Sequence, residues 1–368
     1  MNKQNLIVGL IFALYIIWGS NFCFAENVVI EADKQNYSTK DNMTHFDGNV
    51  KVTSKDVTVR GPKAVMKINS NNKPDYALFL NNPVATKVSP TSKSQIKANI
   101  MRLSLIDNIV KAEGNVISEV IDSSSSVMTM KSDMQEYDIS NNIIIAKGNV
   151  EINNKDLKTK SREARILVDK TGKPQEVKLI GGARVIQDKN VADADIFIYN
   201  PITDEAIAQG HTRSQTILDD LTQVFVWSDI QEYNKNTGTL MTSGNVKIAY
   251  KEYLAFGPKA TMIKENSTTK PNKIVFLGRS RIIENTREVE ANRIVITLNP
   301  KDFTAEGNVK TKFTQIQSNK KKTNNKKVNK KTNQQDVNKK KALEEQEFRK
   351  KYPVIEKPEE YDAQSIFN

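Results

Sequence analysis

From Val50 onward hydrophobic residues recur at every second position rather than at the 3.6-residue period of a helix. Val50, Val52, Val57, Val59, Ala64, Met66 and Ile68 alternate with Lys51, Thr58, Lys63 and Lys67. The same alternation returns at Val246, Ile248 and Tyr250, and again at Ile294 and Ile296. A period of two predicts short strands with one face buried and the other in water. Turn-forming stretches separate them: Asn69 to Pro74, Asp169 to Pro174 and Ser267 to Pro271 each end in proline. The chain is therefore expected to be all-β.

The strands are organised by a recurring Gly-Asn-Val, at Gly48, Gly114, Gly148, Gly244 and Gly307. Weaker echoes stand between them at Asn82-Pro83-Val84, Gly182-Ala183-Arg184-Val185, Gly210-His211-Thr212 and Gly278-Arg279-Ser280. The nine stations step by about 32 residues, a repeat-protein spacing. Each glycine is expected to mark a bulge or corner where a side chain would be in the way. Stations three apart resemble each other best. Asp33 to Tyr37, Asp133 to Tyr137 and Asp229 to Tyr233 align, and Gly61-Pro62-Lys63-Ala64 matches Gly257-Pro258-Lys259-Ala260. This gives three tandem repeats of about 100 residues, at 26–125, 126–221 and 222–317, which should stack in one direction. Counted as short pieces in two sheets, some 27 strands would make a stack on the order of 65 Å.

Charge changes the picture only at the ends. The net charge is +12, but Lys320 to Lys341 alone holds ten lysines against Asp336. The segment 318–368 is thus predicted to be a Lys/Asn-rich disordered tail, and its role is either solubilising or contact with an anionic membrane surface. At the other end Leu6 to Trp18 is an apolar run after Lys3, and Cys23-Phe24-Ala25 offers small residues before a cleavage site. Residues 1–25 read as a signal peptide, with an uncleaved anchor as the alternative, so the body is exported and periplasmic. With one cysteine and two histidines, no disulfide framework exists and most histidine-based catalysis is excluded. Ala192-Asp193-Ala194-Asp195 reads as a strand start rather than a metal site. No catalytic, cofactor or metal residues are assigned, no Walker loop occurs, and nucleic acid is not an expected partner of an exported chain.

Ile30-Glu31-Ala32-Asp33-Lys34-Gln35, then Phe46-Asp47-Gly48-Asn49-Val50-Lys51-Val52, Ala64-Val65-Met66 and Ala112-Glu113-Gly114-Asn115-Val116 together resemble the LptA/OstA-like periplasmic domain of the lipopolysaccharide export bridge. The likeness covers residues 26 to about 121 and repeats at 131–212 and 228–310. It implies an antiparallel β-jellyroll shaped as an open V, non-enzymatic, whose interior carries the acyl chains of lipopolysaccharide from the inner to the outer membrane. Three tandem units and the lysine tail depart from the single jellyroll of the soluble bridge protein.

On that reading the groove would be lined by Val50, Val52, Val57, Val59, Met66, Ile68, Ile100, Leu103 and Leu105 in the first repeat. Ile152, Ile166, Val168, Ile196 and Ile198 follow in the second, and Ile248, Phe256, Met262, Ile294, Ile296 and Phe303 in the third. Expected partners are lipopolysaccharide, other jellyroll proteins joined end to end by strand addition near Val28 to Ala32 and Ala305 to Lys312, the inner-membrane export complex and the outer-membrane translocon. The same repeats would serve a structural β-solenoid with a closed core and no lipid cargo.

Overall fold

The computed structural model describes residues 29–314, apart from turn residues 55–56, 70, 72–73, 90–91, 105, 108, 123–126, 139, 155–156, 170–173, 219–220, 265–270 and 299. The expected leader, the lysine-rich tail and Leu105 lie outside the described residues.

The described chain is all strand and turn, with 22 strands in one antiparallel sheet. Four pairs of short strands are each the two halves of one interrupted strand: Val29–Glu31 with Lys34–Ser38, Pro74–Leu80 with Val84–Ser89, Ser92–Lys97 with Ile100–Ser104, and Lys301–Glu306 with Lys310–Phe313. The 22 strands thereby reduce to eighteen rungs, each hydrogen-bonded to the rung before it and the rung after it. The sheet is continuous on both sides of the expected repeat boundaries, with Ile121 opposite Val127 and Ile217 opposite Gln223. At about 4.8 Å per step the contour along the hydrogen bonds is on the order of 80 Å. That exceeds the 65 Å expected from counting 27 pieces in two sheets, because every rung is one long strand with a break at its middle rather than two strands.

The breaks are the glycine stations. Between Lys147 and Val150 the strand Ile143–Asn154 advances three residues while its neighbour, from Glu163 to Ser161, advances two. The extra residue is taken up by Gly148 (φ +76°) and Asn149 (φ +48°), two successive residues in the left-handed region. A β-carbon on Gly148 would lie 2.0 Å from Asp133 Oδ2, so the corner needs glycine for space as well as for φ. The same left-handed glycine recurs at Gly48, Gly114, Gly181, Gly210, Gly244, Gly278 and Gly307, and Asn81-Asn82 holds the remaining station. All nine stations read from the sequence are thus corners.

Six of the nine corners are locked in one way by the preceding rung. Asp33, Asn99, Asp133, Asp195, Asp229 and Asn292 stand fifteen residues before a corner glycine and rest against it. In the next position Asn49 donates to Asp33 at 2.9 Å, Asn149 to Asp133 at 3.1 Å and Asn245 to Asp229 at 2.9 Å. Serines on the inner side tie the bent backbone: Ser132 donates to the Met134 carbonyl, Ser161 to that of Glu163 and Ser228 to that of Ile230. Gln135 and Gln231, both buried, donate to the carbonyls of Met130 and Val226. The polar residues of the repeat therefore satisfy the groups that a bend would otherwise leave unpaired.

Candidate functional site

The two halves of each rung stack into two arms that diverge from the line of corners, and the inner faces of both arms carry the apolar side chains. In Ile143–Asn154, Ile144 and Ala146 face inward on one arm, Val150 and Ile152 on the other, and all four are buried. The core divides into two clusters. The first extends from Phe46 to Ala183, with Phe197 and Tyr199 packed at its border. The second extends from Val224 to Leu298. Between them the inner positions of Glu205–Ile217 and of the first half of Asn190–Asn200 are small or polar, namely Ala192, Ala194, Ala206, Ala208, Thr212 and Ser214, while Phe197 and Tyr199 still pack on the first cluster. Side chains this short cannot bridge the interior, and the apolar lining is interrupted there.

Sixteen of the expected lining residues are on the inner side or outside the described chain, and four are not inward. Val50, Ile152, Ile166 and Val168 are buried in the first cluster, where Val52, Val59, Met66 and Leu103 pack against it. Val57 and Ile68 share their inward parity, set by the pairing of Val57 with Ser54 and of Met66 with Thr44. Ile248, Met262, Ile294 and Ile296 lie in the second cluster, and Phe303 packs on it.

The exceptions are Ile100, Ile196, Ile198 and Phe256. Ile100 neighbours the inward Met101 and is 36% exposed. In Asn190–Asn200 the inward residues are Phe197 and Tyr199, paired with Leu179 and Val177, so Ile196 and Ile198 point to the opposite face. Phe256 lies on the outer face with the Arg281 guanidinium 4.7 Å from its ring centre, and helps floor a shallow outer cleft with Pro258 and Arg279. The sequence reading missed Ile96, Met130, Ile144, Ile274 and Phe276, all fully buried, and named Tyr250 in its alternation without placing it in the lining.

At the last rungs the tips of the arms touch. Tyr250 donates its hydroxyl hydrogen to the Leu298 carbonyl at 2.8 Å in a buried contact across 48 residues. Tyr253 meets Phe303 edge to face at 5.7 Å between ring centres. The Lys301 ammonium pairs with Glu252, lies 3.8 Å from Glu284 and sits 4.4 Å from the Tyr253 ring centre. Arg287 stacks on Phe303 at 4.7 Å. Burial and the Glu284 carboxylate push the Tyr253 phenol up to about 12, and burial lowers Lys301.

The outer spine of corners carries one histidine. His211 stands where other corners have asparagine, and its Nδ1 lies 2.8 Å from Asp195 Oδ2. The hydrogen bond and charge of Asp195, with Asp229 adding, raise its pKa above 6.5. Because the folded value is the higher one, its contribution to stability is complete below the unfolded value and fades as pH rises through the folded value. A proton NMR titration should find His211 titrating above 6.5, and Asp195→Asn should return it toward the ordinary range. Asp193, the other acid of the Ala-Asp-Ala-Asp stretch, is committed to Arg184 at 2.6 Å.

Residues 29–128 match the family model described as LptA/(LptD N-terminal domain) LPS transport protein. No curated protein matches the chain. Among solved structures, LptH from Pseudomonas aeruginosa, the LptA-homologous periplasmic component of a lipopolysaccharide transport device, is 14% identical. The match covers 35% of this chain and 94% of that one with a TM-score of 0.30. Over residues 29–128, about a quarter of its length, the chain is similar to the LptA/LptD N-terminal lipopolysaccharide transport family.

Proposed function

We propose that this chain is a non-enzymatic periplasmic carrier that holds the acyl chains of lipopolysaccharide between its two arms on the way from the inner to the outer membrane. The observation that supports this reading is a pair of inner apolar clusters, Phe46 to Ala183 and Val224 to Leu298, each contributed by both arms of one continuous sheet. Each methylene withdrawn from water contributes about 0.8 kcal/mol, so a partly enclosed chain is held by several kcal/mol while a charged headgroup stays outside. The two clusters act as successive holding sites of similar chemistry, which keeps any one of them from trapping the cargo.

The sheet's two ends supply the connections. Among the described residues the first rung, Val29–Glu31 with Lys34–Ser38, and the last, Lys301–Glu306 with Lys310–Phe313, each have one neighbour. Strand addition to their open edges would join further jellyroll proteins, and through them the inner-membrane complex and the outer-membrane translocon. The lysine-rich segment, with about 1 kcal/mol per lysine near an anionic leaflet, favours a membrane-proximal placement.

A second reading, a structural solenoid with a sealed core, is favoured by the near-complete burial of Ile144, Ile152, Ile248 and Ile294. Gel filtration of the purified chain with lipopolysaccharide separates the two. Carriage predicts co-elution of intact lipopolysaccharide at micromolar concentration and none of the deacylated form. No co-elution of either, with the protein folded, favours the solenoid.

A further inference from the structure

We propose that the contact between the arm tips at the last rungs is a latch that gates the second core compartment, a regulation that rests on the acyl-carriage reading. Tyr250, Glu252 and Tyr253 belong to the tip of one arm, together with Glu284 and Arg287 from the neighbouring rungs. Leu298, Lys301 and Phe303 belong to the tip of the other. Their contacts are of four kinds: a buried hydrogen bond from Tyr250 to Leu298, the ion pair of Lys301 with Glu252, the edge-to-face pair of Tyr253 and Phe303, and cations over the Tyr253 and Phe303 rings. Together they close the side on which a V of two arms would otherwise be open. Behind them lies the most completely buried part of the interior, including Phe276, Ile274, Ile294 and Ile296.

An acyl chain reaching these residues from the side must part Tyr250 from Leu298 and Lys301 from Glu252. Parting the hydrogen bond and the ion pair exposes groups that water can satisfy, unlike the aliphatic core behind them, and only the Tyr253–Phe303 contact is lost as apolar surface. The half carrying Lys301 and Phe303 is the terminal rung of the sheet. A strand added at that edge would act on the latch directly, which places the gate beside a candidate junction.

The test pairs one measurement that needs no lipid with one that does, on the full chain. Tyr250→Phe keeps the ring and removes the hydrogen bond, and Lys301→Met removes the ion pair. In the double variant, amide hydrogen exchange at residues 250–254 and 296–303 should rise at least tenfold while residues 128–168 keep their rate. Unchanged exchange at 250–254 and 296–303 overturns the latch. Photocrosslinking to lipopolysaccharide from position 248 should then increase severalfold over the unmodified latch, with position 152 unchanged. Labelling at 152 with no increase at 248 overturns the gating role. Absence of labelling at both positions removes acyl carriage itself, and gating falls with it, while the exchange result still reports on the arm contact.

Discussion

Replacing Phe276 by alanine is expected to cost about 3–5 kcal/mol, the range for deleting a fully buried aromatic ring whose neighbours cannot close the space. Phe276 is 0% exposed, and its ring packs on Gly257, where a β-carbon would approach Phe276 Cδ1 to 2.9 Å. The pairing of Phe276 with Ala260 on one side and Ile294 on the other leaves only small or branched neighbours in the adjoining rungs. The loss should be local. Because the lining is interrupted over Glu205–Ile217 and the first half of Asn190–Asn200, faster hydrogen exchange is expected for residues 224–298 and not for residues 46–183. Equal loss of protection in both clusters would show one cooperative core. Gly257→Ala, unfavourable alone, should be only partly better tolerated in the Phe276→Ala background, since the ring is gone but Ser280 Oγ, 2.6 Å from the added carbon, remains.

Gly148→Ala should lower stability by about 2–4 kcal/mol, combining a left-handed φ with a collision against Asp133. Gly182→Ala is the control. Its φ is +69°, and nothing lies within 4 Å of the added carbon, so only the conformational cost of about 1 kcal/mol remains. Asp133→Ala should relieve part of the Gly148→Ala cost, giving a double variant less destabilised than the sum of the singles. Chemical denaturation of the unsubstituted chain and the four variants measures these differences. Equal costs at Gly148 and Gly182 would mean that the Asp133 contact does not shape the corner.

Much of this architecture is readable in the sequence because the corners impose residue types that few other situations demand. A left-handed glycine followed by a left-handed asparagine marks every Gly-Asn-Val, and the aspartate of Asp-Lys-Gln-Asn-Tyr, Asp-Met-Gln-Glu-Tyr and Asp-Ile-Gln-Glu-Tyr is the partner fifteen residues upstream. That constant spacing is the signal by which the locking aspartates could have been found. The side-chain face is less legible where both faces are apolar. Ile196-Phe197-Ile198-Tyr199 offers two equally hydrophobic parities, and only pairing with Val177 and Leu179 selects Phe197 and Tyr199. Phe256 reads as core by its size, yet its parity is outward and its ring is covered by Arg281 instead of aliphatic neighbours. The arm-tip contact could not be seen at all, since Tyr250 and Leu298 meet across 48 residues and depend on the bends of the two intervening rungs and of Arg287–Leu298 itself.

The most direct test of acyl carriage is photocrosslinking in cells from inner positions Val52, Ile152 and Ile248, with outward Ile145 as the control, followed by immunoblotting of the purified protein for lipopolysaccharide. Adducts at the three inner positions and none at Ile145 are the predicted result. A folded, exported protein without lipid at any inner position would contradict it.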